Sequence, residues 1–391
     1  MKYLHKVRAE LEAPHHERMF GSGWLSGSFG LLAGVVGVLM VIVLRNPSIT
    51  SVPQLAAAHQ NVLFRPALYF VLIAGFVLAA LSLVLRRDKT LGGAAMAATL
   101  LASMIGSLPT HRDIQLEGLF FGVDFFLLNV LFTGLLFIPI ERLLARHKDQ
   151  SVFRDEWRED LFYYLVSSLF VQILTYLTLA PSNFVIHNQD LGAIRAWAHN
   201  LPWVVQLIAI MLLTDLAQYW LHRAFHRVPF LWGFHAVHHS ARSMDWIAGA
   251  RMHFLEIIVL RGVTATPMLV IGFDESAIQA YMLIVYVYST FIHSNVGTNF
   301  GVLEKILVAP RFHHWHHGIG KDAVDVNFAI HFPFLDRLFG TYHLPDGQWP
   351  DGYGVAGHPV PKGYWNQFLY PFRRSDSANS TVVTQADSPR R

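Results

Sequence analysis

Apolar residues gather into unbroken runs at 24–44, 66–85, 91–108, 119–140, 161–180 and 203–221. A helix rises about 1.5 Å per residue, so each run approaches the length needed to cross a hydrocarbon core about 30 Å thick. The third is the weakest, because Gly92, Gly93 and several alanines dilute it. Two further apolar arms, near 254–272 and 277–292, flank Gly272, Asp274 and Glu275 and read as helices that dip into or cross the membrane. The pattern predicts an all-α polytopic membrane protein. The first span is expected to be retained, since the polar stretch MKYLHKVRAELEAPHHERMF before it lacks the apolar core and cleavage site of a secretory signal.

Basic residues alternate in density between the connecting segments. Lys2, Lys6, Arg8 and Arg18 precede the first run, and Arg86, Arg87 and Lys89 crowd the turn after the second. Arg142, Arg146, Lys148, Arg154 and Arg158 follow the fourth, whereas the third and fifth runs are followed by Arg112 and Arg195 alone. By the positive-inside rule the N-terminus is expected in the cytosol, together with everything after residue 221 except the hairpin. The linker DQSVFRDEWRED divides an N-terminal membrane region of about four spans, 1–150, from a back half at 151–345. Residues 346–391 are expected to add a C-terminal cap segment and a polar, disordered tail.

Composition sharpens this picture. Hydrophobic residues make up 53% and charged residues 15%, against about 25% charged in soluble domains. A net charge of +3 gives no reason to expect a nucleic-acid partner. There is no cysteine, which excludes disulfides, thiolate metal sites and iron–sulfur clusters. Histidine is abundant: of 22 in the chain, eleven lie between His222 and His317.

Those histidines form three boxes, HRAFH (His222, His226), HAVHH (His235, His238, His239) and HHWHH (His313, His316, His317). Residues three and four apart share a helical face, so each box presents two or three imidazoles together. Eight imidazoles exceed the four that one tetrahedral zinc requires and suit two metals with open positions. His293, in FIHSN, is expected as a ninth ligand. His314 falls off the face of its box and is expected to be a neighbour of the ligands. Packing or surface roles are expected for His331, His343, His358 and the His15–His16 pair.

Asp215 lies inside the sixth run, seven residues before His222 and on its face, with Gln218 and Tyr219 between them. An intramembrane carboxylate is costly and points to function; here it is expected to orient a ligand histidine. The alternative is a buried helix–helix hydrogen bond. His253 and Glu256 form an i, i+3 pair of similar character. Asp215, Glu256 and Asn295 are the polar residues expected to take part in the chemistry beside the metals.

All-nitrogen ligation suits iron, copper, nickel or zinc rather than magnesium or calcium. The boxes sit where spans end, so a lipid could reach them sideways, and a lipid chain offers C–H bonds more than hydrolysable ones. Attack on such bonds calls for O2 as co-substrate and a redox metal. No dinucleotide, haem or flavin motif is present, so electrons are expected from a separate donor. A rival reading is a histidine-rich metal-binding transporter or sensor without oxygen chemistry. Transporters, however, bind their substrates near the bilayer midplane, whereas these histidines cluster at one surface. A third is a membrane zinc hydrolase.

The boxes and their flanks, YWLHRAFHRVPFLWGFHAVHHS, FIHSN and PRFHHWHH…DVNFA…LDRLFGTY, resemble the fatty acid hydroxylase/sterol desaturase superfamily over roughly residues 155–345. The resemblance implies a non-haem di-iron oxygenase that hydroxylates or desaturates a sterol or fatty-acyl lipid. It further implies a cytosolic histidine-rich cap on the helical bundle, electron supply by cytochrome b5, ferredoxin or a reductase, and ligation by the eight box histidines with His293. Residues 1–150 lie outside it, and the long membrane-embedded front half departs from the compact four-span family core.

Overall fold

A computed structural model of the protein describes residues 2–45, 63–106, 123–357 and 360–373. His358 and the expected polar tail lie outside the described residues. Regular structure among those described is helical, apart from two isolated antiparallel bridges, Ala145 with Val296 and Gly318 with Tyr353.

The front half holds α1 (Lys2–Leu11), α2 (Trp24–Arg45), α3 (Phe64–Leu85), α4 (Thr90–Gly106) and α5 (Val123–Leu144). Lipid provides no hydrophobic drive for helices to associate, so close packing must supply it. Small residues of α2 let α3 and α4 approach: a Cβ on Gly30 would lie 2.9 Å from the Ala79 nitrogen, and one on Gly34 would lie 2.9 Å from the Ala98 Cβ. The segment containing α1 ties the ends of these helices together. Arg86 pairs with Glu10 and, at 3.2 Å, with Glu17, while Arg142 pairs with Glu12.

The back half holds α6 (Trp157–Leu169), α7 (Val171–Asn188), α8 (Gly192–His199), α9 (Trp203–Arg227) and α10 (Pro229–His239). It continues with α11 (Phe254–Ile271), α12 (Glu275–His293), α13 (Pro310–His316), α14 (Phe334–Phe339) and α15 (Tyr364–Leu369). Among the described residues, four helices are long and apolar enough to cross a membrane: α2, Pro66–Leu85 within α3, α9 and α11. The bent pair α6–α7 makes a fifth if counted as one span. The chain is a multi-pass, all-helical membrane protein.

Three expected spans differ in detail. Within the described residues the third run forms a helix of 17 residues, about 25 Å long. The fifth run, expected as one span over 161–180, is broken at Phe170, where α6 and α7 meet at 66°. Just before the break the Ser167 hydroxyl donates to the Tyr164 carbonyl at 3.1 Å, a bond that competes with helical backbone pairing. The sixth run continues as helix beyond its apolar part to Arg227, so His222 and His226 ride on the end of a membrane helix. That helix stops because Val228 precedes Pro229, which disfavours helical backbone at Val228 (φ −97°, ψ 113°). Pro229 then starts α10 at its first position, where a missing N–H costs nothing.

Candidate metal centre

Nine imidazoles converge in two groups. His222, His226, His235, His239 and His316 form the first, and His238, His293, His313 and His317 form the second; within each group the ligand atoms lie within 4.8 Å of one another. The groups adjoin, with the rings of His239 and His317 stacked at 4.4 Å. Eight of the nine rings are buried, and His226 is partly so. These are the nine histidines singled out in the sequence, but their distribution differs from the shared-face reading. His235 and His239, four apart, enter the first group while His238 enters the second. Conversely, His313 and His317 enter the second while His316 enters the first. Each of these two boxes therefore contributes to both groups.

Hydrogen bonds at the far side of the rings decide where their lone pairs point. Nδ1–H of His222 donates to the Phe328 carbonyl at 2.9 Å, and that of His316 donates to the Val326 carbonyl at 2.8 Å. Nδ1–H of His238 donates to the Arg251 carbonyl at 3.0 Å, and that of His293 donates to the Ser289 carbonyl at 2.6 Å. His235 donates from Nδ1 to Glu256 Oε1 at 2.6 Å. In each of these rings Nε2 then carries no proton and faces inward. His238 and His293 bring two such nitrogens within 3.3 Å, and His222 and His235 within 3.0 Å. Facing lone pairs at these distances repel unless a cation lies between them. His226 Nε2 and His316 Nε2 are also buried without a hydrogen-bond partner, as are His313 Nδ1 and His317 Nδ1. Orphaned nitrogens and facing lone pairs fit two metal ions held by imidazole.

Burial holds His235, His238, His239, His313, His316 and His317 well below the usual imidazole range, and neighbouring imidazoles add to the effect. They are neutral at pH 7, the form a metal requires. His314 lies outside both groups. It accepts from the Tyr353 hydroxyl at 2.8 Å and donates to the Ser294 carbonyl at 3.1 Å, which ties the third box to the FIHSN segment.

Of the three polar residues named from the sequence, Glu256 alone touches a ligand ring. It sits in the first turn of α11, which His253 caps by accepting the Leu255 N–H at 3.2 Å. Asp215 accepts three consecutive backbone N–H groups, from Ile330 at 2.8 Å, His331 at 3.2 Å and Phe332 at 2.7 Å. It thereby holds the loop whose Val326 and Phe328 carbonyls orient His316 and His222. Asn295 clamps a different junction: its side chain accepts from the His147 N–H at 2.9 Å and donates to the His147 carbonyl at 3.0 Å.

Several residues were not anticipated. Asp336 takes the Phe328 and Ala329 N–H groups at 2.7 and 2.9 Å, so two carboxylates hold five consecutive amides. Asn327 and Asp325 have φ of 59° and 58°, left-handed backbone that Asn and Asp tolerate best. The DVN triplet was the available signal for that turn. Beneath the loop after α10, Arg251 donates to Asp160 at 2.6 Å, and Arg154 bridges Asp160 (2.5 Å) and Asp245 (2.8 Å). That buried network fixes the Arg251 carbonyl used by His238.

Comparison with known proteins agrees with this architecture. Residues 207–341 match the fatty acid hydroxylase family. The chain is 28% identical over 178 residues to an ornithine lipid hydroxylase of Rhizobium tropici, covering 46% of this chain and 54% of that protein. It is 31% identical over 190 residues to alkylglycerol monooxygenase of Homo sapiens, covering 47% and 42% respectively. A putative methylsterol monooxygenase of Dictyostelium discoideum is 25% identical over 204 residues, or 51% of this chain and 73% of that protein. The chain thus spans about half the length of the first two relatives. No solved structure matches it significantly. The matched segment carries all three histidine boxes, so the histidine-bearing half of the chain contains a fatty acid hydroxylase domain, in line with the resemblance of the boxes to the fatty acid hydroxylase/sterol desaturase superfamily.

Proposed function

We propose that the protein is a membrane lipid oxygenase that hydroxylates, or desaturates, a sterol or fatty-acyl type lipid with O2, holding one iron in each imidazole group. The observation that carries this reading is the pair of adjoining histidine groups with unprotonated nitrogens facing inward at the end of a membrane helix. Iron bound there would supply the oxidising power against C–H bonds that side chains lack. The chain's own contribution is placement. Backbone carbonyls and Glu256 fix the ring orientations, Asp215 and Asp336 fix the loop carrying two of those carbonyls, and burial keeps the imidazoles neutral. Asn295, at the base of α12, secures the strand of chain that follows His293. The relatives' names support lipid oxidation; the particular lipid is not carried over from them.

In this reading residues 1–150 form a membrane region, 151–345 the catalytic domain and 346–391 a cap segment and tail. The N-terminus and the metal groups face the cytosol, where the basic-rich connections lie, and a separate redox protein (cytochrome b5, ferredoxin or a reductase) supplies electrons. Purified protein, with metals counted per chain and O2 uptake followed on adding lipid, tests the whole. One iron per imidazole group and lipid-dependent uptake are expected. Bound zinc with no uptake would favour a hydrolase, and metal binding without any lipid turnover would favour a transporter or sensor.

A further inference from the structure

Arg261 is the eighth residue of α11, well inside a membrane span, and it is exposed. Its guanidinium has no hydrogen-bond or ion-pair partner among the described residues. Tyr164 of α6 lies within electrostatic range of it. The Tyr164 hydroxyl is bonded at 2.8 Å to that of Tyr286 on α12, with Thr133 of α5 at 3.5 Å from Tyr164. Four helices therefore bring one guanidinium and three hydroxyls to a single polar spot, with the arginine on its exposed side. A charge in this position is costly unless something answers it.

The spot lies close beneath the metal groups. Arg261 follows the His235 partner Glu256 by five residues, about 7.5 Å along α11, and Tyr286 precedes His293 by seven, about 10 Å along α12. Helical side chains lean toward the N-terminus, so Arg261 leans back toward the end of α11 that carries Glu256. A planar guanidinium presents a fork of donors matched to two oxygens of one anionic group, and phenol hydroxyls add single donors around it.

We infer that Arg261, with Tyr164 and Tyr286, binds an anionic oxygen group, a carboxylate or phosphate, on the lipid substrate. This assignment rests on the lipid-oxidation reading and adds a substrate class to it: an acidic lipid held by its charged group, with the carbon to be oxidised within several ångströms of that group. Neutral sterols and alcohols lack the partner that Arg261 needs. Thr133 has its own hydroxyl committed to the Asn129 carbonyl at 2.6 Å and shapes the spot without donating to the ligand.

Equilibrium binding to the detergent-solubilised full chain tests this without requiring turnover. Oleic acid and phosphatidic acid represent the two anionic chemistries, and methyl oleate and oleyl alcohol are the neutral controls. The wild type is expected to prefer at least one acidic lipid by roughly 10- to 100-fold, the range of a charge-assisted hydrogen-bonded pair. Arg261→Gln should abolish that preference while metal content stays at the wild-type level, and Arg261→Lys should restore part of it. Tyr286→Phe, a milder change, should weaken acidic-lipid binding selectively and covers the case in which the arginine variants misfold. Equal affinity of the wild type for acidic and neutral lipids overturns the assignment, as does an unchanged preference in Arg261→Gln. Acid-selective binding without O2 uptake would instead count against the oxygenase reading and leave the anion site standing. Uptake that is indifferent to lipid charge would do the reverse.

Discussion

Glu256 donates nothing and touches one ring, yet it controls that ring's protonation. Its Oε1 accepts the Nδ1–H of His235 at 2.6 Å, while Oε2 is buried without a partner. An amide in its place could still accept through oxygen but would lose the charge that makes imidazole a stronger ligand. Glu256→Gln is therefore expected to lower metal affinity at the first group about 10- to 100-fold, as loss of such outer partners does. Titration of the metal-depleted protein with iron measures it, and unchanged affinity would show that the carboxylate has no part in ligation. His238 tests the second group in the same way. His238→Ala should empty that group and abolish turnover while the first group keeps its metal and the protein inserts normally. Retention of full turnover would remove His238 from the ligand set.

At the scale of elements, the decisive piece is an irregular loop. Residues 326–332 have no regular secondary structure, yet every amide from Phe328 to Phe332 donates to Asp336 or Asp215. Asn327 adds its side chain to the Phe312 and His343 carbonyls at 2.9 and 2.6 Å. An unmet buried N–H costs about 1–3 kcal/mol. Asp215→Asn, which keeps one acceptor oxygen of two, is expected to destabilise the fold by about that much and to speed hydrogen exchange at residues 328–332 above all. If exchange there is unaltered, the loop does not depend on Asp215. In the sequence Asp215 was legible as a costly intramembrane carboxylate, expected to orient a ligand histidine. The structure shows its bonds going to backbone three residues wide, with the histidines reached through the carbonyls of that same loop. Periodicity could not reveal this, because the partner amides lie 115 to 117 residues away.

For the molecule as a whole, the proposed orientation across the membrane rests on the distribution of basic residues and is open to direct test. The absence of cysteine makes single substitutions unambiguous reporters. Lys321, exposed just beyond the third histidine box, and Asp190, exposed between α7 and α8, lie beyond opposite ends of the membrane helices. Lys321→Cys is expected to react with a membrane-impermeant thiol reagent only from the cytosolic face, and Asp190→Cys only from the other. The converse pattern would invert the topology. The two halves are also tied at several points that no run of apolar residues announces. Glu141 of α5 accepts the backbone N–H groups of Trp246 at 2.6 Å and Asn295 at 3.0 Å, which brings the front half against the chain leading to two histidine boxes. Glu12 accepts the Val152 N–H at 3.1 Å across the linker between the halves.

The sequence by itself determined the membrane class, the helical character and the identity of the nine imidazoles. Each depends on local properties: length of apolar runs, spacing along one helix and residue type. It also exposed the resemblance carried by the boxes. Tertiary structure decided how the nine divide, since adjacent residues of a helix point about 100° apart and two boxes can serve two centres at once. It decided that the fifth run is bent at Phe170 rather than straight, which apolar run length alone does not signal. It also decided which groups hold each ring, because four of the five outward Nδ1 bonds go to backbone carbonyls, and a carbonyl carries no signature in the residue to which it belongs.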